Sequence, residues 1–226
     1  MNQDPSHAKR HFAEELDQLK RRLLTMGGLA EERVRLAVRA LVERDSTAMV
    51  EVIDGDNDLN QFHVEIDDRC FKLLALHQPM AGDLRTIVAA VKINSDLERV
   101  GDLAVNIAEA AQRYITHPPV KPLVDIPRMG TLAQAMLHDA LDAFVTGDVR
   151  QAQSVLDRDD LLDGLKDQVF RELLTYMLGD TRTIEAGLDL ILVSRHLERV
   201  GDHATNIAED VIFIVAARDV RHHAHD

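Results

Sequence analysis

The chain is written twice. Leu97-Glu98-Arg99-Val100-Gly101-Asp102 recurs as Leu197-Glu198-Arg199-Val200-Gly201-Asp202, and Asn106-Ile107-Ala108-Glu109 recurs as Asn206-Ile207-Ala208-Glu209, both at a spacing of 100 residues. Upstream, Met26-Gly27-Gly28-Leu29-Ala30 is answered by Met129-Gly130-Thr131-Leu132-Ala133 at a spacing of 103, which also relates Asp45 to Asp148, Val52 to Val155, Asp54 to Asp157 and Asp56 to Asp159. The change of spacing marks a connection, Gln78 to Asp83, that is shorter in the second copy around Gly179-Asp180. Any fold for this chain must therefore make one unit twice and give the two copies a way to pack.

Each unit reads as helices. Ile93, Leu97, Val100, Ala104, Ile107, Ala111 and Tyr114 recur in steps of four and three, the signature of one buried helix face. Asp45 followed by Ser46-Thr47 is a cap between a first and a second helix, and Gln78-Pro79 with Gly82-Asp83 ends the second and starts the third. Aromatics make up only 4% of the residues and Trp is absent, so the core must be aliphatic. The expected fold is all-α: two tandem, internally duplicated antiparallel three-helix bundles with helices of roughly 30 residues, about 45 Å long. Residues 7–117 form the first bundle and 128–219 the second. Between them lies a Pro-rich linker, 118–127, and after them a His-rich tail, 220–226.

The formal charge of -13 repels a phosphate backbone, which argues against nucleic-acid binding. Cys70 is the single cysteine, so the chain has neither an internal disulfide nor a cysteine zinc cluster, in keeping with an intracellular, reducing home. Met1 to Arg10 is polar and unlike a signal peptide, and the longest apolar run, Val211 to Ala217, is too short for membrane insertion.

Residues four apart share a helix face, so Asn94, Glu98, Asp102 and Asn106 form an oxygen-rich line beside the apolar seam. Ser194, Glu198, Asp202 and Asn206 repeat it, while the second helices supply a matching pair, Asp56 and Asn60 in the first unit, Asp159 and Asp163 in the second. Like charges at this spacing repel by about 0.2–0.5 kcal/mol in an isolated helix, so an arginine such as Arg99 or Arg199, or a cation, should compensate. If the second and third helices pack together, four oxygen ligands converge in each unit. All-oxygen ligation suits hard cations such as iron(III), manganese or magnesium. A solvated acidic face braced by arginine is the alternative.

The remaining conspicuous residues read as structural. Gly101 and Gly201 lie mid-helix, where glycine costs about 1 kcal/mol relative to alanine; tight helix packing is the expected reason, with close approach of a ligand as the alternative. Cys70, Met26 and Met129 read as core residues, and His203 as a surface residue with a ligand role as the alternative. Neither Glu98 nor Glu198 is followed by His three residues later, as dinuclear oxidase bundles require. No phosphate loop, nucleophile elbow or His-Glu-x-x-His motif is present.

Taken together, the chain resembles the PhoU family of accessory regulators of bacterial phosphate transport, from about Phe12 to Arg221. Thr25-Met26-Gly27-Gly28, Gln78-Pro79 with Asp83-Leu84-Arg85, Leu97 to Asp102, Thr175-Tyr176-Met177 with Asp180-x-Arg182-Thr183-Ile184, and Glu198 to Asp202 carry the resemblance. It implies paired three-helix bundles, a homodimer, and metal at Glu/Asp-x-x-x-Asp motifs: iron first, with manganese, magnesium or zinc as alternatives. The motif falls on Glu98, Asp102, Asp159, Asp163, Glu198 and Asp202, and less fully on Asp56 and Asn60, where a neutral amide departs from the pattern. The resemblance further implies a cytoplasmic, non-enzymatic negative regulator. Its partners would be the ATPase subunit of the phosphate ABC transporter and a phosphate-responsive sensor histidine kinase. A metal-dependent phosphatase or a metal-storage protein is the rival expectation.

Overall fold

In the computed structural model, which describes residues 5–55 and 57–216, the chain forms eight α-helices and, among the described residues, no strand. They are α1 (Pro5–Glu43), α2 (Ser46–Asp54), α3 (Asn57–His77), α4 (Gly82–Tyr114), α5 (Asp125–Thr146), α6 (Val149–Leu156), α7 (Asp159–Gly179) and α8 (Ile184–Ala216). The tail 220–226 and Asp56 lie outside the described residues. Each unit is a three-layered bundle in which the middle helix is broken into two pieces, α2 and α3 in the first unit, α6 and α7 in the second.

That break corrects the expectation of one continuous second helix. Asp54-Gly55 in the first copy falls where helix propensity is poor, and the α2 and α6 ladders close with Gly55 N–H on Glu51 O and, at the same place in the second copy, Asp157 N–H on Gln153 O. The second bundle also begins earlier than the sequence suggested. Its first helix starts at Asp125, inside the segment read as linker, because proline at position 127 is compatible with the first helical turn.

The turn that leads into each middle helix is the same device in both copies. Asp45 accepts from Thr47 N at 3.0 Å and Ala48 N at 3.1 Å, and Asp148 accepts from Arg150 N at 2.8 Å and Gln151 N at 3.2 Å. The residue before each cap has positive φ, 55° at Arg44 and 70° at Gly147. Glycine takes that conformation without strain; Arg44 takes it while its Nη2 donates to Ile115 O at 2.7 Å and His117 O at 2.6 Å and its guanidinium covers the Tyr114 ring. The first copy thus uses its turn to tie down the end of α4.

The two units share one core. The heptad positions Ile93, Leu97, Val100, Ala104, Ile107, Ala111 and Tyr114 are all buried, as are Val193, Leu197, Val200, Ala204, Ile207 and Val211 of the second copy. These faces meet, since the most extensive helix contact in the molecule is α4 against α8, with α1 against α5 alongside. The two long helices run antiparallel. Lys92 pairs with Asp210 at 2.8 Å, Asp96 with His203 at 2.8 Å and Arg113 with Asp189 at 2.9 Å, and Asp210 and Asp189 are buried. Close packing also explains Gly201, where a Cβ would overlap Leu162 Cδ2 and meet Met136 Cε at 3.6 Å. Met26, Met129 and Cys70 are core residues, and burial pushes the Cys70 thiol up to about 12.

Candidate metal centre

The break before α7 places Asp159 in the helix's first turn and Asp163 one turn on, facing Glu198 and Asp202 of α8. Four carboxylates of two helices therefore feel one another. Burial, then Asp163, Asp160 and Glu198, raises the pKa of Asp159. Burial, then Glu198, Asp159 and Asp163, raises Asp202 to about 6. Within this group lies Lys166, whose Nζ donates to Asp163 Oδ1 at 3.0 Å and Glu198 Oε1 at 2.9 Å. The Glu198 hydrogen bond leads in holding that ammonium above the ordinary lysine range.

The first unit is arranged differently. Glu98 and Asp102 share Arg99, at 3.6 Å and 3.8 Å, in a partly exposed pair of contacts. Asn60 is exposed on α3, and the fourth expected ligand, Asp56, falls outside the described residues. At the inner end of the stripe, Asn94 is fully buried. Its Nδ2 donates to His63 O and to Asp67 Oδ1, each at 2.9 Å, while its Oδ1 is buried without a hydrogen-bond partner. Asn94 and its counterpart Ser194 therefore belong to the interior, where the sequence suggested a line running wholly beside the apolar seam.

Among the described residues, no group of three or more His, Cys, Asp or Glu side chains is arranged to hold a metal ion as it stands. The second unit nevertheless has the chemistry for one. Its donors are all oxygen, and two of its four carboxylates have raised proton affinity, first because burial disfavours the charged form and then because the neighbouring carboxylates add an excess of negative charge. A hard cation would relieve that excess, with Asp159, Asp163, Glu198 and Asp202 as its ligands.

Excess charge makes a prediction about pH. An aspartate with a folded pKa near 6 and an unfolded one of about 3.9 binds more protons folded than unfolded between those values, so the metal-free fold loses stability as pH rises from about 4 through 6. Above that window the penalty is fully in place. Asp202 keeps solvent exposure that screens it, so Asp202→Asn should stabilise the chelator-treated protein at pH 7 by only about 1 kcal/mol and flatten its pH profile. Urea melts at pH 4.5 and 7 check this; equal destabilisation at both would contradict it.

Comparison with known proteins decides the family. The PhoU domain model matches residues 23–111 and again residues 126–211, one match per copy. The chain belongs to the PhoU family. A Caulobacter vibrioides protein described as a phosphate-specific transport system accessory protein PhoU homolog is 44% identical over 215 residues, covering 95% of this chain and 94% of that one. The Escherichia coli accessory protein PhoU is 35% identical over 216 residues, covering 96% and 90%. The crystal structure of PhoU from Pseudomonas aeruginosa superposes with a TM-score of 0.88 at 40% identity, covering 92% of this chain and all 100% of that one. That of the phosphate transport system regulatory protein PhoU from Streptococcus pneumoniae gives 0.85 at 30%, covering 92% and 99%.

Within this PhoU fold the motif reading brings together Asp159, Asp163, Glu198 and Asp202, and sets Glu98 beside Asp102. It missed Lys166, although a lysine three residues after Asp163 is a legible helical neighbour. The expected brace, Arg199, is replaced in that role by Lys166. His203 is mostly buried rather than on the surface: it crosses the seam between the units to Asp96.

Proposed function

We propose that the chain is a metal-binding negative regulator of phosphate uptake and of phosphate-starvation signalling. It acts as an adaptor between the ATPase subunit of the phosphate ABC transporter and a phosphate-responsive sensor histidine kinase. Family membership over both copies carries the reading, because the full-length relatives are described as accessory proteins of phosphate-specific transport. An accessory role of this kind proceeds by docking, with no bond made or broken. Among the described residues no helix is long and apolar enough to cross a membrane; in this reading the chain meets its transporter from the cytoplasm, as a homodimer.

Metal enters this reading as a pin between helices. The second unit's carboxylates would hold a hard cation, iron first and manganese, magnesium or zinc as alternatives, and so fix α7 against α8. Glu98 and Asp102, with Asp56 and Asn60, would do the same for α3 and α4. The ion's positive charge would offset the repulsion among the carboxylates, and the outer helices would become a rigid surface for a partner.

Deleting the gene should derepress phosphate-starvation genes in cells growing in abundant phosphate, read by a phosphatase or transporter-promoter reporter. Reporter activity that stays at the repressed level in the deletion strain contradicts the regulatory role. Affinity capture from high- and low-phosphate cells, with metal measured on the same sample, tests the partners and the ion together.

A further inference from the structure

We propose that the solvent-facing side of α8 is a docking face for an amphipathic, acidic helix of a partner protein. The inference rests on the adaptor reading above only in supposing a partner. It starts from a side chain left without its expected task. Because Lys166 bridges Asp163 and Glu198, Arg199 is not drawn into the carboxylate group, whereas Arg99 lies 3.6 Å from Glu98 and 3.8 Å from Asp102 in the first unit.

Arg199 ends a single line of exposed residues. Ile184, Leu188, Leu192, Arg195 and Arg199 follow one another in steps of four, four, three and four, the spacing of a helix seam, and so fall within one narrow arc of α8. All five are exposed, the three apolar ones by 39%, 50% and 38%. The line runs roughly 22 Å at 1.5 Å per residue. Among the described residues, neither arginine makes a hydrogen bond or an ion pair. Burial, then Arg199, Arg195 and Arg113, lowers the pKa of His196 beside them, so the positive field of that turn is not cancelled locally.

In the first copy the same positions are engaged differently. Leu84 and Val88 are exposed on α4, but Lys92 is paired with buried Asp210 across the seam, Ser95 carries no charge, and Arg99 braces Glu98 and Asp102. The second unit alone therefore keeps an apolar half and an uncompensated cationic half on one exposed helix face. An occupant must match both. A helix with apolar residues at the same spacing seats them on Ile184, Leu188 and Leu192, and carboxylates one turn apart beyond them meet the two guanidiniums in charge-assisted contacts. A second copy of this chain does not match through the same line: antiparallel two-fold pairing over its full length sets Ile184 against Arg199 and offers the arginine no carboxylate. In a chain of formal charge -13 this turn is a local reversal of sign, so it orients an acidic partner that the rest of the surface repels.

The test uses the full chain and a fluorescein-labelled synthetic helix of about 18 residues, with three Leu at spacing four and two Glu beyond them on the same face, followed by fluorescence anisotropy. Arg195→Glu with Arg199→Glu should weaken binding by roughly tenfold or more, as should Leu188→Gln, while Leu84→Gln on α4 leaves it unchanged. A second peptide with Lys in place of Glu should bind the charge-reversed variant more tightly than the wild type, a reversal that loss of fold cannot produce. In a strain whose deletion derepresses the reporter, the charge-reversed chain should derepress it too. No binding of the Glu peptide by the wild type, binding that the α8 variants leave unchanged, or full repression by the charge-reversed chain each overturns the docking face, and the regulatory reading is then judged by the deletion alone. If Leu188→Gln converts a wild-type dimer to monomer in light scattering, the face belongs to a second copy and the proposal falls.

Discussion

If the second unit holds a cation as proposed, alanine at both Glu198 and Asp202 should remove tight binding there, with affinity falling by roughly a hundredfold or more. Asp159 and Asp163 remain, but they lie four residues apart on α7 alone, and a single helix face offers a hard cation too few converging oxygens. The pair on α8 would make the proposed site a clamp between helices. Helical content should be unchanged, because Glu198 and Asp202 lie outside the buried core. Glu98→Ala with Asp102→Ala does the same to the first unit, and all four together should bring bound metal below one ion per chain in elemental analysis of protein loaded with Mn²⁺ or iron. A fourfold variant that retains the wild-type metal content would show that these residues are only a solvated, arginine-braced face.

Leu197→Ala should produce the largest loss of stability. Leu197 is fully buried where α8 meets the rest of the core, and emptying such a site costs about 2–5 kcal/mol in lost transfer energy and residual cavity. In a chain of this size that corresponds to a fall of roughly 5–15 °C in melting temperature. The loss should be felt throughout the molecule, because the buried residues of both copies form one continuous cluster. Calorimetry should show a single transition shifted as a whole. For the same reason, residues 1–117 expressed alone should expose the α4 face that α8 covers and aggregate or fail to fold. Two separate transitions, with one unmoved by Leu197→Ala, would mean that the halves are independent domains.

The parts of this structure that were legible beforehand are those governed by local chemistry. Heptad spacing over Ile93 to Tyr114, the Asp45 cap and the stop at Gln78-Pro79 each depend on a few neighbouring residues, and each is found where the sequence puts it. The duplication could be read because it is literal. Local chemistry also contained the break between α2 and α3, in Asp54-Gly55, but a weak helix signal of that kind is decided by packing, and it was passed over.

What escaped the sequence are contacts across the seam between the copies. Nothing near Asp96 in the chain announces His203, and nothing near Lys92 announces Asp210, because each pair is separated by more than a hundred residues and meets only when α4 and α8 lie antiparallel. The stripe of carboxylates was visible from its spacing. The identity of the neutralising group was not, since Arg199 and Lys166 are equally plausible by charge and only the packing of α7 on α8 selects the lysine.

The opposed run of α4 and α8 has an electrical consequence. Each is a 33-residue helix whose aligned peptide dipoles amount to about half a charge at either end. Laid head to tail against one another, the two fields annul at any distance beyond the pair's own width. A molecule approaching either end of the bundle is therefore steered by side-chain charge, and single substitutions can retune that steering without disturbing the backbone.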